Sequence, residues 1–367
     1  MELHARHITL CATSDLVTDQ RMMRICASLH EANFSVTLIG RTLPNSLPLL
    51  PQPYHQYRLS CYFHKGKLFY IEFAIRLFFR LLYIKIDIIN AVDLDTILPV
   101  LLASKIRNKR CTYDAHEYFT EVPEVVNRPL TKHVWERVAA FCIPKMDACY
   151  TVGEALAKVF SERYKVPFGT VRNMATLKNI DLENDYLEPK IILYQGVLNE
   201  GRGLENLILS MQHIENAVLW IVGDGDISTQ LRDLVIENTL QKKVIFLGKK
   251  RPSELQAITE QSYIGINILE PNGLSYYYSL ANKTFDYIQA AKPAIHIQFP
   301  EYEALNERYN IGILVKSTAP EILCAAIQRL LTDEQLYTKL ADNCRRAAKE
   351  LCWENEKNTL LNIYNAV

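Results

Sequence analysis

Short runs of aliphatic and β-branched residues alternate with longer stretches of helical period, twice over, along the 367 residues of this chain. No other feature constrains the fold as much. Strands separated by helices return in the same direction through crossovers, so the pattern predicts parallel βαβ units. In the first half strands are expected at 8–13, 35–39, 87–91, 110–113 and 148–152. Helices are expected at 19–30, 68–83, 96–106, 131–141 and 153–163, and 42–57 reads as a proline-bearing loop. A polar stretch at 177–190 interrupts the pattern. The alternation restarts with strands at 191–195, 218–222, 244–247, 264–268, 294–298 and 312–315. Helices fall at 204–213, 227–238, 283–291 and 319–331, with a helical tail over 333–364. The expected fold is α/β, with two doubly wound, Rossmann-like domains over 1–175 and 191–350. A linker at 176–190 joins them, and 351–367 forms a terminal helix crossing back to the first. Ligands of such sheets bind at the carboxyl ends of the strands, here facing a central cleft.

Composition removes several function classes. The 41 Lys and Arg balance the 41 Asp and Glu, which argues against a nucleic-acid partner. The halves differ, with a net charge of +6 over residues 1–175 and −6 over 176–367. The nine cysteines include no CxxC pair, so neither a zinc ribbon nor a disulfide scaffold is expected. No uncharged apolar run reaches the roughly 18 residues a membrane span requires. The start, Met-Glu and then a strand, has no signal-like segment, and a reducing, cytoplasmic setting is the expectation.

Candidate chemistry lies at predicted strand ends. The loop after the first strand has no glycine, so the dinucleotide fingerprint is absent. Asp19 and Arg21 sit in that loop, where Asp19 also suits a helix N-cap with Arg21 at the surface. Asp93 and Asp95 follow the strand at 87–91; Asp114, His116 and Glu117 follow the strand at 110–113. His116 suits proton work near neutral pH, or is a loop histidine satisfied by a backbone carbonyl. In the second half Gly196, Gly201, Gly203, Gly223, Gly225 and Gly248 cluster at strand ends. There backbone can approach a phosphate closely, although turns and caps explain each glycine singly. Asn282 is the expected N-cap of a helix whose N-terminus, with Lys283, offers an anion site. Asp286, one turn on, suits a ribose diol. Alternatively, Lys283 and Asp286 form a solvated surface pair.

Taken in order, these pieces resemble the family 4 glycosyltransferases, retaining nucleotide-sugar enzymes of the GT-B fold. The resemblance rests on Asp19-Gln-Arg21, Asn90-Ala-Val-Asp93-Leu-Asp95, Tyr113-Asp114-Ala-His116-Glu117 and Val171-Arg-Asn173. In the second half it rests on Gln195-Gly196 through Arg202-Gly203, Gly223-Asp-Gly225, and Asn282-Lys283 through Asp286 to Pro293. It implies transfer of a sugar from a nucleoside diphosphate to a saccharide or lipid-linked hydroxyl, in polysaccharide or glycolipid synthesis. Arg202, Lys283 and His116 would be catalytic. Gly196, Gly203, Gly248, Lys249, Asn282 and Asp286 would hold the donor, and Asp19, Arg21, Asp93, Asp95 and Glu117 would line the acceptor side. The sequence departs from the family at Tyr278, where a glutamate is usual, at Val197, where a basic residue is usual, and in its glycine-free first loop. A nucleotide-sugar epimerase of the same fold and a non-catalytic partner of a transferase complex are the competing readings.

Two expectations complete the reading. Arg202, Lys283 and a helix N-terminus can neutralise a diphosphate, so no metal or other cofactor is expected beside the nucleotide sugar. Residues 65–85 hold ten aromatic or leucine residues, with Glu72, Arg76 and Arg80 on one stripe. This suggests contact with an anionic membrane, at the inner face of the cell membrane, or else a core helix with a charged outer stripe.

Overall fold

The computed structural model describes residues 5–17, 19–178 and 188–367. The chain divides into two units, Met1–Asn173 with Glu356–Val367, and Met174–Asn355. Most of the stretch expected as a linker, 179–187, lies outside the described residues.

The first unit runs β1 (His7–Cys11), α1 (Gln20–Glu31), β2 (Ser35–Arg41), β3 (His55–Leu59), α2 (Gly66–Tyr83), β4 (Ile88–Val92), α3 (Leu94–Arg107) and β5 (Arg110–Ala115). It continues with α4 (Pro123–Val126), α5 (Pro129–Cys142), β6 (Ala148–Thr151), α6 (Glu154–Tyr164) and β7 (Phe168–Thr170). The strands form one parallel sheet in the order β3-β2-β1-β4-β5-β6-β7. Every residue of β4 is buried, as a parallel strand covered on both faces requires.

The second unit runs β8 (Lys190–Gln195), α7 (Leu204–Ser210), β9 (Ala217–Val222), α8 (Ser228–Glu237), β10 (Val244–Gly248), α9 (Pro252–Gln261) and β11 (Ile264–Asn267). Then follow α10 (Leu274–Tyr277), α11 (Asn282–Gln289), β12 (Ala294–Ile297), α12 (Pro300–Tyr309), β13 (Gly312–Val315), α13 (Pro320–Thr332) and α14 (Glu334–Glu350). Its strands are also parallel, in the order β10-β9-β8-β11-β12-β13. The larger apolar core of this unit runs from Ile192 and Leu219 to Leu340 and Ala347, and Leu193, Val222, Tyr287 and Ala294 form a smaller, separate one.

A last helix, α15 (Trp353–Ala366), starts in the second unit, and from Glu356 onward it belongs to the first. Glu356 accepts a hydrogen bond from the Arg172 backbone N–H at 2.6 Å. Tyr364 is fully buried, its hydroxyl 3.1 Å from that of Tyr150. The Tyr150 hydroxyl lies 3.4 Å from Asn90 Nδ2, which also donates to Thr112 at 2.9 Å. A buried polar ladder therefore ties the last helix to β4, β5 and β6.

The structure corrects several sequence-based expectations. β3 falls at the end of the expected loop, because a sheet-edge strand reading His-Gln-Tyr-Arg-Leu buries only Leu59 and carries no apolar period. The three-residue β7 is too short to show a pattern. The short helices α9, α10 and α12 were not expected; α9 and α12 each open with a proline in the first turn, where no N–H is needed. The helical tail is two helices, α14 and α15, interrupted at 351–352. No helix among the described residues is long and apolar enough to cross a membrane.

Candidate functional site

In the first unit, the carboxyl ends of β1, β4 and β5 bring four acidic or basic side chains together. Asp93 leaves β4 with a φ of 57°, a left-handed conformation uncommon outside glycine. Its carboxylate accepts the backbone N–H of His116 at 2.8 Å and lies 3.7 Å from His116 Nδ1. His116 Nε2 lies 3.1 Å from Asp114. Asp114 is fully buried and bound by Arg21, whose Nη2 donates to it at 2.8 Å. Arg21 is itself buried, and its Nη1 donates to the Val171 carbonyl at 2.9 Å. A continuous chain of contacts therefore runs from Val171 through Arg21, Asp114 and His116 to Asp93.

These contacts set the charges. Burial alone would lower the His116 pKa, but Asp114 and then Asp93 overcome it and hold the imidazole up at about 9. Burial would raise Asp114, yet Arg21 and His116 keep it below the usual carboxylate range. Burial pushes Asp93 up, with His116 opposing and Glu117 and Asp95 adding to the rise. Burial likewise raises Asp95 to about 6, although Thr13 donates to it at 2.7 Å. The second Asp95 oxygen is buried with no hydrogen-bond partner among the described residues. Glu117 is exposed. Asp19 is the N-cap of α1, accepting from Met22 N–H at 3.0 Å and from the Ser14 hydroxyl at 2.7 Å. Arg21 is not at the surface; it can reach a ligand only through Asp114.

In the second unit, the ends of β8, β9 and β10 stack their glycines. A Cβ on Gly223, which has φ of 142°, would lie 1.8 Å from the Gly196 carbonyl oxygen, so no other residue fits there. A Cβ on Gly196 would come within 3.2 Å of Lys283 Nζ. That ammonium lies 3.8 Å from the ring centre of Tyr194, a cation–π contact. Burial and then the repulsion of Arg202 drive the Lys283 pKa well below its ordinary value, against the pull of Asp286. Arg202 lies over the Tyr276 ring at 4.8 Å, and its Nε is buried without a partner. Among the described residues neither cation forms an ion pair.

Lys283 and Asp286 are therefore no solvated pair. Lys283 is buried, and Asp286 accepts from Gln195 Nε2 at 2.8 Å, while the Thr259 hydroxyl donates to the side-chain Oε1 of Gln195 at 2.9 Å. The cap of α11 falls one residue earlier than expected, on Ala281, and Asn282 is the exposed first helical residue. The Ala281 N–H is bound by the Tyr302 hydroxyl at 3.1 Å, and Tyr302 stacks on the buried His296 at 5.3 Å. Gly203 caps α7 with a φ of 65°, against Thr318 and Ile268. Gly248 accepts the Gly223 N–H at 3.0 Å, and Lys249 beside it is exposed. Sequence reasoning missed Tyr276 and Tyr302, and gave no role to Tyr194 and Gln195 although both stand in the motif before Gly196. The one available signal was Gln195, a polar residue ending an apolar strand.

Both units find their match among known proteins. The chain superposes on sucrose-phosphate synthase from Thermosynechococcus elongatus with a TM-score of 0.81 over 98% of each chain, at 17% identity. A family model described as glycosyl transferases group 1 matches residues 178–351, and one described as glycosyltransferase family 4 matches residues 19–173. Each half of the chain thus matches a glycosyltransferase family model, and the fold is GT-B. The chain is 25% identical over 193 residues to an uncharacterised glycosyltransferase of Methanocaldococcus jannaschii. That alignment covers 51% of the chain and 47% of the relative, so the chain matches under half the relative's length. The Anabaena protein HepE, solved with UDP-glucose, superposes with a TM-score of 0.78 at 13% identity, over 98% of this chain and 100% of HepE.

Proposed function

We propose that this glycosyltransferase moves a sugar, with retention, from a nucleoside diphosphate to a hydroxyl of a saccharide or lipid-linked acceptor. The product would be a polysaccharide or glycolipid. The observation that carries the reading is a pair of cations: Lys283, buried beside Gly196 at the start of α11, and the half-buried Arg202 that repels it, neither in an ion pair among the described residues. Two cations held without counter-ions are costly in an empty site and are matched by a bound diphosphate. They neutralise the charge that develops as the C1–O bond to the diphosphate breaks. The acceptor oxygen forms the new bond to C1 on the same face, and its proton passes to the departing phosphate oxygen. Gly196 lets backbone approach the phosphates, and the first-turn N–H groups around Asn282 add to the field. Asp286, oriented by Gln195, receives the ribose. Gly203 shapes the turn that aims Arg202, and Gly248 with Lys249 borders the base.

On the first unit, His116 donates to the transferred sugar, with Asp114 and Arg21 setting its orientation and charge. Asp93, Asp95 and Glu117 meet the acceptor, and Asp19 shapes that loop as the cap of α1. UDP is the first donor nucleotide to test, because HepE was solved with UDP-glucose. No metal is required in this reading, since the two cations do its work.

Calorimetric titration with UDP tests the assignment. Arg202→Ala and Lys283→Ala should each weaken binding by more than about 1 kcal/mol, the range of a charge-assisted hydrogen bond. EDTA should change neither binding nor turnover. Turnover lost to EDTA and restored by Mn²⁺ would sink the cation assignment.

A further inference from the structure

Helix α2 buries Phe69, Phe73, Leu77 and Leu81 against its unit. At 100° per residue, the face turned directly away holds Leu68, Ile71, Ile75 and Phe79. Each of these four is more than half exposed. The charged row, Glu72, Arg76 and Arg80, is on the flank and not outermost. Glu72 accepts the backbone N–H groups of Tyr62 and Phe63 at 2.9 and 3.0 Å and pairs with Arg76, while Arg80 lies 4.3 Å over the Tyr57 ring. The reading of 65–85 as a core helix with a charged outer stripe therefore fails: its outer stripe is apolar.

The apolar face does not stop at α2. Helix α3 packs between α2 and α5, and Tyr70 of α2 meets Trp135 of α5 edge-on at 5.5 Å. The exposed positions of α3 are Leu98, Leu102 and Ile106, one turn apart, together with Lys105. Two parallel apolar stripes on neighbouring helices make a patch of the kind that marks an interaction surface.

Charge identifies what covers it. Between 62 and 85 five Lys and Arg stand against one acid, Glu72; between 96 and 113 four stand against none. Lys65 and Lys67 at one end of α2, Lys85 beyond the other end, and Lys105 on α3 are exposed, with no ion pair among the described residues. An isologous contact with a second copy would set this positive rim against itself. An anionic bilayer satisfies both parts: acyl chains take the leucine, isoleucine and phenylalanine side chains, and headgroups take the lysines.

We infer that the α2–α3 face of the first unit docks this protein, without crossing, onto an anionic lipid surface. The inference does not depend on the sugar-transfer reading. Flotation of the full chain with phosphatidylcholine vesicles, with and without phosphatidylglycerol, tests it. The protein should float with the anionic vesicles and less so as salt rises. Lys65→Ala with Lys67→Ala should lower the partition coefficient about 25-fold, at about fivefold per basic residue near such a surface. Ile75→Glu with Phe79→Glu should abolish flotation with an unchanged melting curve. Should that pair misfold, Ile75→Trp gives a second measurement, a blue-shifted emission quenched by brominated lipid when vesicles are added. No flotation, flotation retained by the folded double glutamate, or no quenching would overturn the inference. So would a dimer in sedimentation velocity that the double glutamate dissolves, since the face would then belong to a second copy.

Discussion

Lys283 is buried against Tyr194 and repelled by Arg202, so in the free protein its proton is weakly held. A diphosphate would reverse that preference. UDP binding should therefore take up a proton, which calorimetry in buffers of different ionisation enthalpy would detect, and affinity should rise as pH falls. Lys283→Met should abolish the uptake; uptake unchanged in that variant would place the proton elsewhere. His116 gives the opposite kind of test. Its folded pKa, about 9, is above the ordinary 6.5. The stability it contributes is complete below about pH 6.5 and lost as pH rises through 9. Chemical denaturation at pH 6 and pH 9.5 should show a larger loss in the native protein than in His116→Gln. Equal losses would mean that Asp114 and Asp93 do not hold its proton. His116 was legible from its place after a strand. The burial of Asp114 and its capture by Arg21 were not, because the strand pattern shows that a residue points to one face but not which distant side chain meets it.

At the scale of elements, α11 shows how the site is braced. Its N-terminus bears Lys283, yet its cap residue, Ala281, has no side-chain acceptor to offer, and the Tyr302 hydroxyl from α12 holds the Ala281 N–H instead. Burial and the nearby Lys283 push the His296 pKa down to about 3, so the ring stacked on Tyr302 is neutral. Tyr302→Phe would leave that N–H unsatisfied, a loss of about 1–3 kcal/mol. Both the melting temperature and the affinity for UDP should fall; a melting temperature that falls alone would show that α11 needs no such brace for binding. Apart from β3 and β7, the strands and the long helices were legible because each buries a continuous run or a periodic face. α10 and α12 were not: four residues are too few to show a period, and ten of polar, weakly periodic sequence become helical through packing that neighbouring elements supply.

For the whole molecule, the last helix decides the integrity of the first unit. Tyr364→Ala removes a fully buried ring and leaves the Tyr150 hydroxyl short of a partner. A loss of about 3–5 kcal/mol is expected for emptying such a site. Proteolysis of the variant should open residues 5–173 before 188–350; cleavage in the reverse order would count against this. The tandem α/β architecture was legible from one repeated alternation, but the burial of Tyr364 was not, since it depends on partners in the first sheet that the period of the last helix does not reveal. That return has a consequence for synthesis. On the ribosome, domains generally fold as they emerge, the N-terminal one first. Here the first unit emerges early but receives Glu356 and Tyr364 only after residues 174–355 have been made. The nascent first unit therefore waits with its Tyr150 pocket open, a natural client for a chaperone until residues 353–366 have been made.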